Sequence, residues 1–88
     1  MTYTNAIRTL EDLGAAVAGL RKSQGLSATS VAAKAGRSRD ILYRLERGAD
    51  VSASSLLDVL RSIGYQIELT PARPPTLDEV RNRFADDD

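Results

Sequence analysis

The residues best equipped for chemistry in this chain sit together in Ser38-Arg-Asp-Ile-Leu-Tyr-Arg-Leu-Glu-Arg-Gly48. Wound as a helix, this stretch places Ile41, Leu42 and Leu45 in one apolar stripe and Arg39, Asp40, Tyr43, Arg44 and Arg47 on the remaining face. Guanidinium, carboxylate and phenol groups set out in this way form hydrogen bonds and ion pairs. The sequence has no cysteine and no histidine. It therefore has no disulfide framework or thiolate metal site, and it lacks the commonest general base and metal ligand. Nor does any constellation place a nucleophile, a base and an orienting group together. The chain is expected to be no enzyme and to need no metal or cofactor. The stretch has a side that wants a core and a side that wants a polar partner, and its length of about three turns suits presentation to a groove. A charged face that merely meets solvent is the alternative.

The elements that must position this face can be read from caps and spacing. Ser38 is a good N-cap and Gly48 a good terminating residue, so the helix runs over 38–47. Upstream, Ser27 caps a shorter helix in which Val31, Ala32 and Ala35 make a narrow apolar face, and Gly36 stops it. Only a tight turn through Gly36 and Arg37 separates the two, which makes 27–47 a helix-turn-helix. Before it, Thr9 with Asp12 forms a capping arrangement, and Leu10, Leu13, Val17 and Leu20 repeat at helical spacing up to Gln24, closed by Gly25. Gly14 and Gly19 inside that helix, with Ala15, Ala16 and Ala18, predict close approach by another element. After the motif, Ser52 caps a helix with Leu56, Leu57, Val59, Leu60 and Ile63 on its apolar side, and Gly64 closes it.

Tyr65-Gln-Ile-Glu-Leu69 alternates apolar and polar residues, so 65–70 is predicted as a strand. One strand alone leaves its backbone groups unpaired, and the same strand from a second copy would satisfy them through Tyr65, Ile67 and Leu69. The alternatives are pairing with Thr2–Thr4 or replacement of the strand by the first turn of a fifth helix. Pro71, Pro74 and Pro75 mark an extended linker. Thr76 with Glu79 then caps a short last helix in which Leu77, Val80 and Phe84 share an apolar edge. This edge either docks on its own domain or dimer mate, or orders on a partner. Asp86–Asp88 form an acidic tail.

At 88 residues the chain makes one small domain, able to bury only about 60–65% of its unfolded surface. No apolar run approaches membrane-spanning length and the N-terminus has no signal-peptide pattern, so a cytoplasmic protein without membrane contact is expected. Formal net charge is zero, but the charges are polarised. Seven basic residues from Arg21 to Arg47 face two acidic ones, whereas 74–88 carries five acidic residues against two basic ones. The basic middle is the footprint of a phosphate-binding surface. The acidic end can act as a solubilising tail, a docking segment or a competitor for that surface.

The order of helices, the Gly25-Leu26-Ser27 junction, the Ala32–Gly36 turn and Leu45-Glu-Arg-Gly48 together resemble the Cro/cI-type, or XRE, helix-turn-helix family over residues 10–64. The segment beyond Gly64 resembles the HipB-type antitoxins, whose C-terminal strands pair across a dimer. The resemblance implies a mainly α fold. It would be a four-to-five-helix Cro/cI-type domain over 9–64, after a tail at 1–8, with one C-terminal strand pairing across a homodimer and a linker, helix and tail over 71–88.

Carried over by position, the resemblance places Ser38, Arg39 and Asp40 at bases or adjacent phosphates, with Tyr43 and Arg44 one turn later. Chemistry agrees: an arginine fork matches guanine, an aspartate accepts from cytosine N4, and Tyr43 meets a phosphate or a thymine methyl. Arg47 suits a phosphate. An internal Asp40–Arg44 ion pair is the competing use of those two residues. The family's structural arginine–glutamate pair falls on Arg21 and Glu46. Where the family often has a supporting glutamine this chain has Ala28, leaving Ser27 and nearby N–H groups to serve. Arg37 occupies a position usually held by valine or isoleucine; its stem can cover the core while its head reaches solvent or phosphate.

These readings point to a sequence-specific DNA-binding protein acting as a dimer on a palindromic operator, repressing transcription of its own operon. The HipB-like version adds a HipA-like kinase toxin as partner, with 74–88 as the docking segment. A stand-alone repressor without a toxin and a protein-interaction adaptor on the same fold are the alternatives.

Overall fold

The computed structural model describes residues 6–72. Four helices follow one another: α1 (Leu10–Ser23), α2 (Ala28–Ala35), α3 (Arg39–Glu46) and α4 (Ala53–Ser62). Each starts where a hydroxyl can satisfy one of the first amide groups left without a partner. Thr9 Oγ1 accepts from the Asp12 N–H at 3.0 Å, Ser27 Oγ from Ser30 at 3.1 Å, Ser38 Oγ from Ile41 at 3.2 Å and Ser52 Oγ from Ser55 at 3.1 Å. Replacing such a cap by alanine typically costs about 1 kcal/mol.

The helix ends are equally uniform. At α2 the Gly36 N–H donates to the Ala33 carbonyl (3.1 Å) and the Arg37 N–H to that of Ala32 (3.0 Å). The same crossed pair recurs at Gly25–Leu26, Gly48–Ala49 and Gly64–Tyr65. Such an ending needs a left-handed residue, and Gly36 takes φ 70°. The chain thereby turns from α2 into the Ser38 cap without any intervening loop, which fixes α3 against α2.

The core joins all four helices: Val17 and Leu20 from α1, Val31 and Ala32 from α2, Leu42 and Leu45 from α3, Val59 and Leu60 from α4, and Ile63 just beyond it. Leu42 and Leu45 are fully buried, each worth about 1.5–3 kcal/mol relative to exposure. α3 packs on α1 and α2, and α2 packs on α4. Leu10 and Leu57, which spacing assigns to apolar faces, are instead about half exposed at 44% each.

The strand expected over 65–70 does not form within the single chain: no strand is present among the described residues. The physical reason is that its ladder has no partner segment within these residues. Tyr65 packs against the core, but Ile67 is 47% exposed and Leu69 94% exposed. Both line an open groove between residues 6–8, α1, α4 and 65–72, floored by Leu13, Leu20, Leu56 and Leu60. The Arg8 guanidinium spans one end of it, donating from Nη2 to the Ala72 carbonyl at 3.4 Å. The alternative partner Thr2–Thr4, the expected last helix with Leu77, Val80 and Phe84, and the acidic tail lie outside the described residues. Among the described residues no helix is long and apolar enough to cross a membrane.

Candidate nucleic-acid interface

α3 is built to be held rigidly from behind. Its buried side rests on α1 at Gly14, where an added Cβ would lie 2.6 Å from the Glu46 carbonyl oxygen and closer still to that of Leu45. The two backbones approach only because that atom is missing. Gly19, further along the same helix, has nothing within 4 Å of its corresponding position.

At the same end of α3, Arg21 and Glu46 form a two-pronged pair. Nε meets Oε2 at 2.7 Å and Nη2 meets Oε1 at 3.0 Å, while Nη1 donates to the Leu26 carbonyl at 3.0 Å. The side chains are only 12% and 10% exposed. The Glu46 hydrogen bond holds the Arg21 guanidinium above its ordinary value, against the opposing effect of burial and with help from the negative charge of Glu46. One guanidinium therefore ties the last turn of α3 to the end of α1 and to the junction leading into α2.

The outward face of α3 carries Arg39, Asp40, Tyr43 and Arg44, all exposed, with Arg47 exposed just beyond the helix and Ser38 exposed at its cap. The arginines around the motif are used in different ways. Arg37, whose head sequence reasoning sends to solvent or phosphate, is engaged by Asp58 of α4: Nε and Nη2 lie 3.0 and 2.7 Å from Oδ2. Its Nη2 also reaches Ser54 Oγ at 3.4 Å, and Arg61 Nη1 lies 3.4 Å from Asp58 Oδ1. A charged head at an apolar position thus finds its counter-charge on a helix distant in sequence.

Arg44 does not pair with Asp40. It donates from Nη2 to the Asp50 carbonyl at 3.0 Å, bracing the loop between α3 and α4, and no bond joins it to Asp40 among the described residues. Arg39 Nη1 meets a neutral group, Thr29 Oγ1 of α2, at 3.4 Å. The side chains of Arg47 and Asp40 make no hydrogen bond or ion pair among the described residues.

Ser27 caps α2 at the same surface and is exposed; the Ser30 hydroxyl donates to its carbonyl at 3.0 Å. Ala28 is turned against the core, so the side chain that reaches across to α3 comes from Thr29. Sequence reasoning singled out neither Thr29, Asp50 nor Asp58. The only local signal was the arginine at 37, since a charge at an apolar site demands a partner. Among the described residues no cluster of acidic side chains is placed to hold a metal ion.

Residues 12–71 match the family described as a helix-turn-helix domain. Among solved structures, a HipB variant in complex with an O2 20mer superposes with a TM-score of 0.75 at 18% identity, over 81% of this chain and 100% of that one. A chain described as MDT Protein superposes equally well, with a TM-score of 0.75 at 20% identity, over 80% of this chain and 100% of that one. At such identities the likeness is one of fold. No curated protein matches the sequence.

Proposed function

Since the chain belongs to the helix-turn-helix domain family, we propose that it is a sequence-specific DNA-binding protein that regulates transcription. The observation that carries this reading is the outward face of α3. Arg39, Asp40, Tyr43 and Arg47 are exposed together on a helix locked from behind at Gly14 and by Arg21–Glu46. A rigid helix with a free polar face is what a major groove accepts.

In this reading Arg39 and Asp40, beside the Ser38 cap, meet base edges, the arginine fork at a guanine and the carboxylate at cytosine N4. Tyr43 meets a phosphate or a thymine methyl, and Arg47 a phosphate. Ser27 and the first amide groups of α2 supply a further phosphate contact. Arg44 contributes through the loop it braces. Arg37 enters the interface only by giving up Asp58.

The protein acts as a homodimer through Tyr65, Ile67 and Leu69, whose segment pairs with its twofold copy. Support comes from Ile67 and Leu69, apolar side chains exposed beside an open groove and best covered by a partner. Twofold symmetry then asks for a palindromic operator with half-sites about 34 Å apart. It represses its own operon as a HipB-like antitoxin, neutralising a HipA-like kinase with Leu77, Val80 and Phe84 as docking residues. The antitoxin role is supported by the fold shared with a HipB–DNA complex and by the acidic, apolar-edged sequence of 74–88.

Footprinting of the DNA upstream of its gene, with competitor DNA at two salt concentrations, tests the reading. A protected, near-palindromic site is expected. Weak, uniform binding erased by salt would instead indicate a protein-interaction adaptor. Co-purification with the neighbouring gene's product separates the antitoxin from a stand-alone repressor.

A further inference from the structure

We propose that Thr29 is a specificity-determining positioning residue, which sets the conformation in which Arg39 meets its base. The inference rests on the DNA-binding reading above and adds to it a residue on the other helix of the motif.

The arginines around α3 differ in how they are partnered. Arg37 is neutralised by a carboxylate and Arg44 is anchored to a loop carbonyl. Arg39 stands at the first residue of α3, and its one partner among the described residues is the Thr29 hydroxyl, across the gap between α2 and α3. A hydroxyl orients a guanidinium without cancelling its charge. The bond occupies Nη1, which leaves the edge formed by Nε and Nη2 open, and that edge carries the parallel pair of donors a guanine accepts.

Thr29 is suited to the task for two reasons. Threonine is stiff at its first torsion, so its hydroxyl has few places to be. It also projects from α2, whose pose against α3 is set by the buried Val31, Ala32, Leu42 and Leu45. A long exposed arginine otherwise samples many rotamers and loses that freedom on binding. Restricting it beforehand favours the base that fits the chosen rotamer over bases that need another.

The test is a binding profile of the full chain against its operator and a set of duplexes, each with one base pair replaced. It compares wild type, Thr29→Val, Thr29→Ser, Arg39→Ala and the double variant Thr29→Val/Arg39→Ala. Thr29→Val removes the hydroxyl and keeps the shape at an exposed position, and a thermal melt checks that it folds; Thr29→Ala serves as a second variant. The expected result is loss of discrimination of roughly three- to tenfold at the base pairs where Arg39→Ala also loses it. Thr29→Ser should restore the wild-type profile, and Thr29→Val should add nothing once Arg39 is gone.

A wild-type profile for Thr29→Val overturns the proposal. So does equal weakening on every duplex that persists in the Arg39→Ala background, which marks Thr29 as a phosphate contact or structural residue. If wild type itself shows no preference among the duplexes, the DNA-binding reading fails first and the proposal with it.

Discussion

The backbone of α1 at Gly14 and the carbonyl of Glu46 at the end of α3 pass so close that a Cβ on the glycine would stand 2.6 Å from the oxygen. Helix α3 is therefore seated on bare backbone. Replacing Gly14 by alanine should destabilise the fold by about 1–3 kcal/mol, because the neighbour that must yield is itself main chain. Replacing exposed Gly19, where nothing lies within 4 Å, should stabilise it by about 0.5–1 kcal/mol through helix propensity. Urea unfolding of both variants reads the two signs; equal effects would mean that α1 and α3 are not in backbone contact.

Removing one side of the Arg21–Glu46 pair leaves a nearly buried charge unanswered. Glu46→Ala should cost about 3 kcal/mol, and DNA binding should fall only as far as the folded fraction falls. The pair raises Arg21 above its ordinary value. The arginine's share of the pair is therefore fully present across the neutral range and is lost only as pH rises through the higher folded value. Chemical denaturation across the neutral range should show no change assignable to this pair.

Arg37 and Arg47 should separate in salt dependence. Arg37 is held by Asp58 with both side chains partly exposed, at 32% and 27%, so screening limits the pair to about 0.5–1 kcal/mol of stability. Arg37→Met keeps the apolar stem and should leave the slope of log affinity against log salt unchanged. Arg47→Ala should reduce that slope by about 0.9, the value of one phosphate contact. A drop for Arg37→Met would show that the arginine leaves Asp58 for DNA.

The exposed apolar residues after α4 give the test of the dimer. Ile67→Asp with Leu69→Asp alters side chains that lie outside the core, so the melting temperature of the monomeric unit should change little. Sedimentation at micromolar concentration should show wild type as a dimer and the double variant as a monomer. An unchanged dimer would locate the interface elsewhere.

What could be read from the sequence was what is encoded within a turn or two of chain. The hydroxyls of Thr9, Ser27, Ser38 and Ser52 bond three residues ahead, and the glycines at 25, 36, 48 and 64 close helices by local bonds, so all four helices form where spacing and caps predict them. Gly14 and Gly19 look alike in sequence, because only the path of α3 decides which of them is approached. Leu10 and Leu57 read as core for the same reason: periodicity gives a face but not what covers it. The side-chain bonds around α3, Arg37–Asp58, Arg44 to the Asp50 carbonyl and Arg39–Thr29, join residues whose proximity depends on how helices and loops pack. Spacing suggested Asp40 for Arg44, and a nearby carbonyl took its place. The predicted strand shows the limit from the other side. Alternation identifies a segment fit to pair, but a ladder needs a second segment.

Sequence-specific reading of DNA by α3 is best tested by a ratio of affinities, for the footprinted duplex and for a scrambled duplex of equal length and composition. It is measured at near-physiological salt for wild type and Arg39→Ala. A wild-type ratio of about a thousand or more is expected, cut by roughly ten- to a hundredfold when Arg39 is lost. A ratio near one for wild type, or one that Arg39→Ala leaves intact, would contradict α3 as the reader.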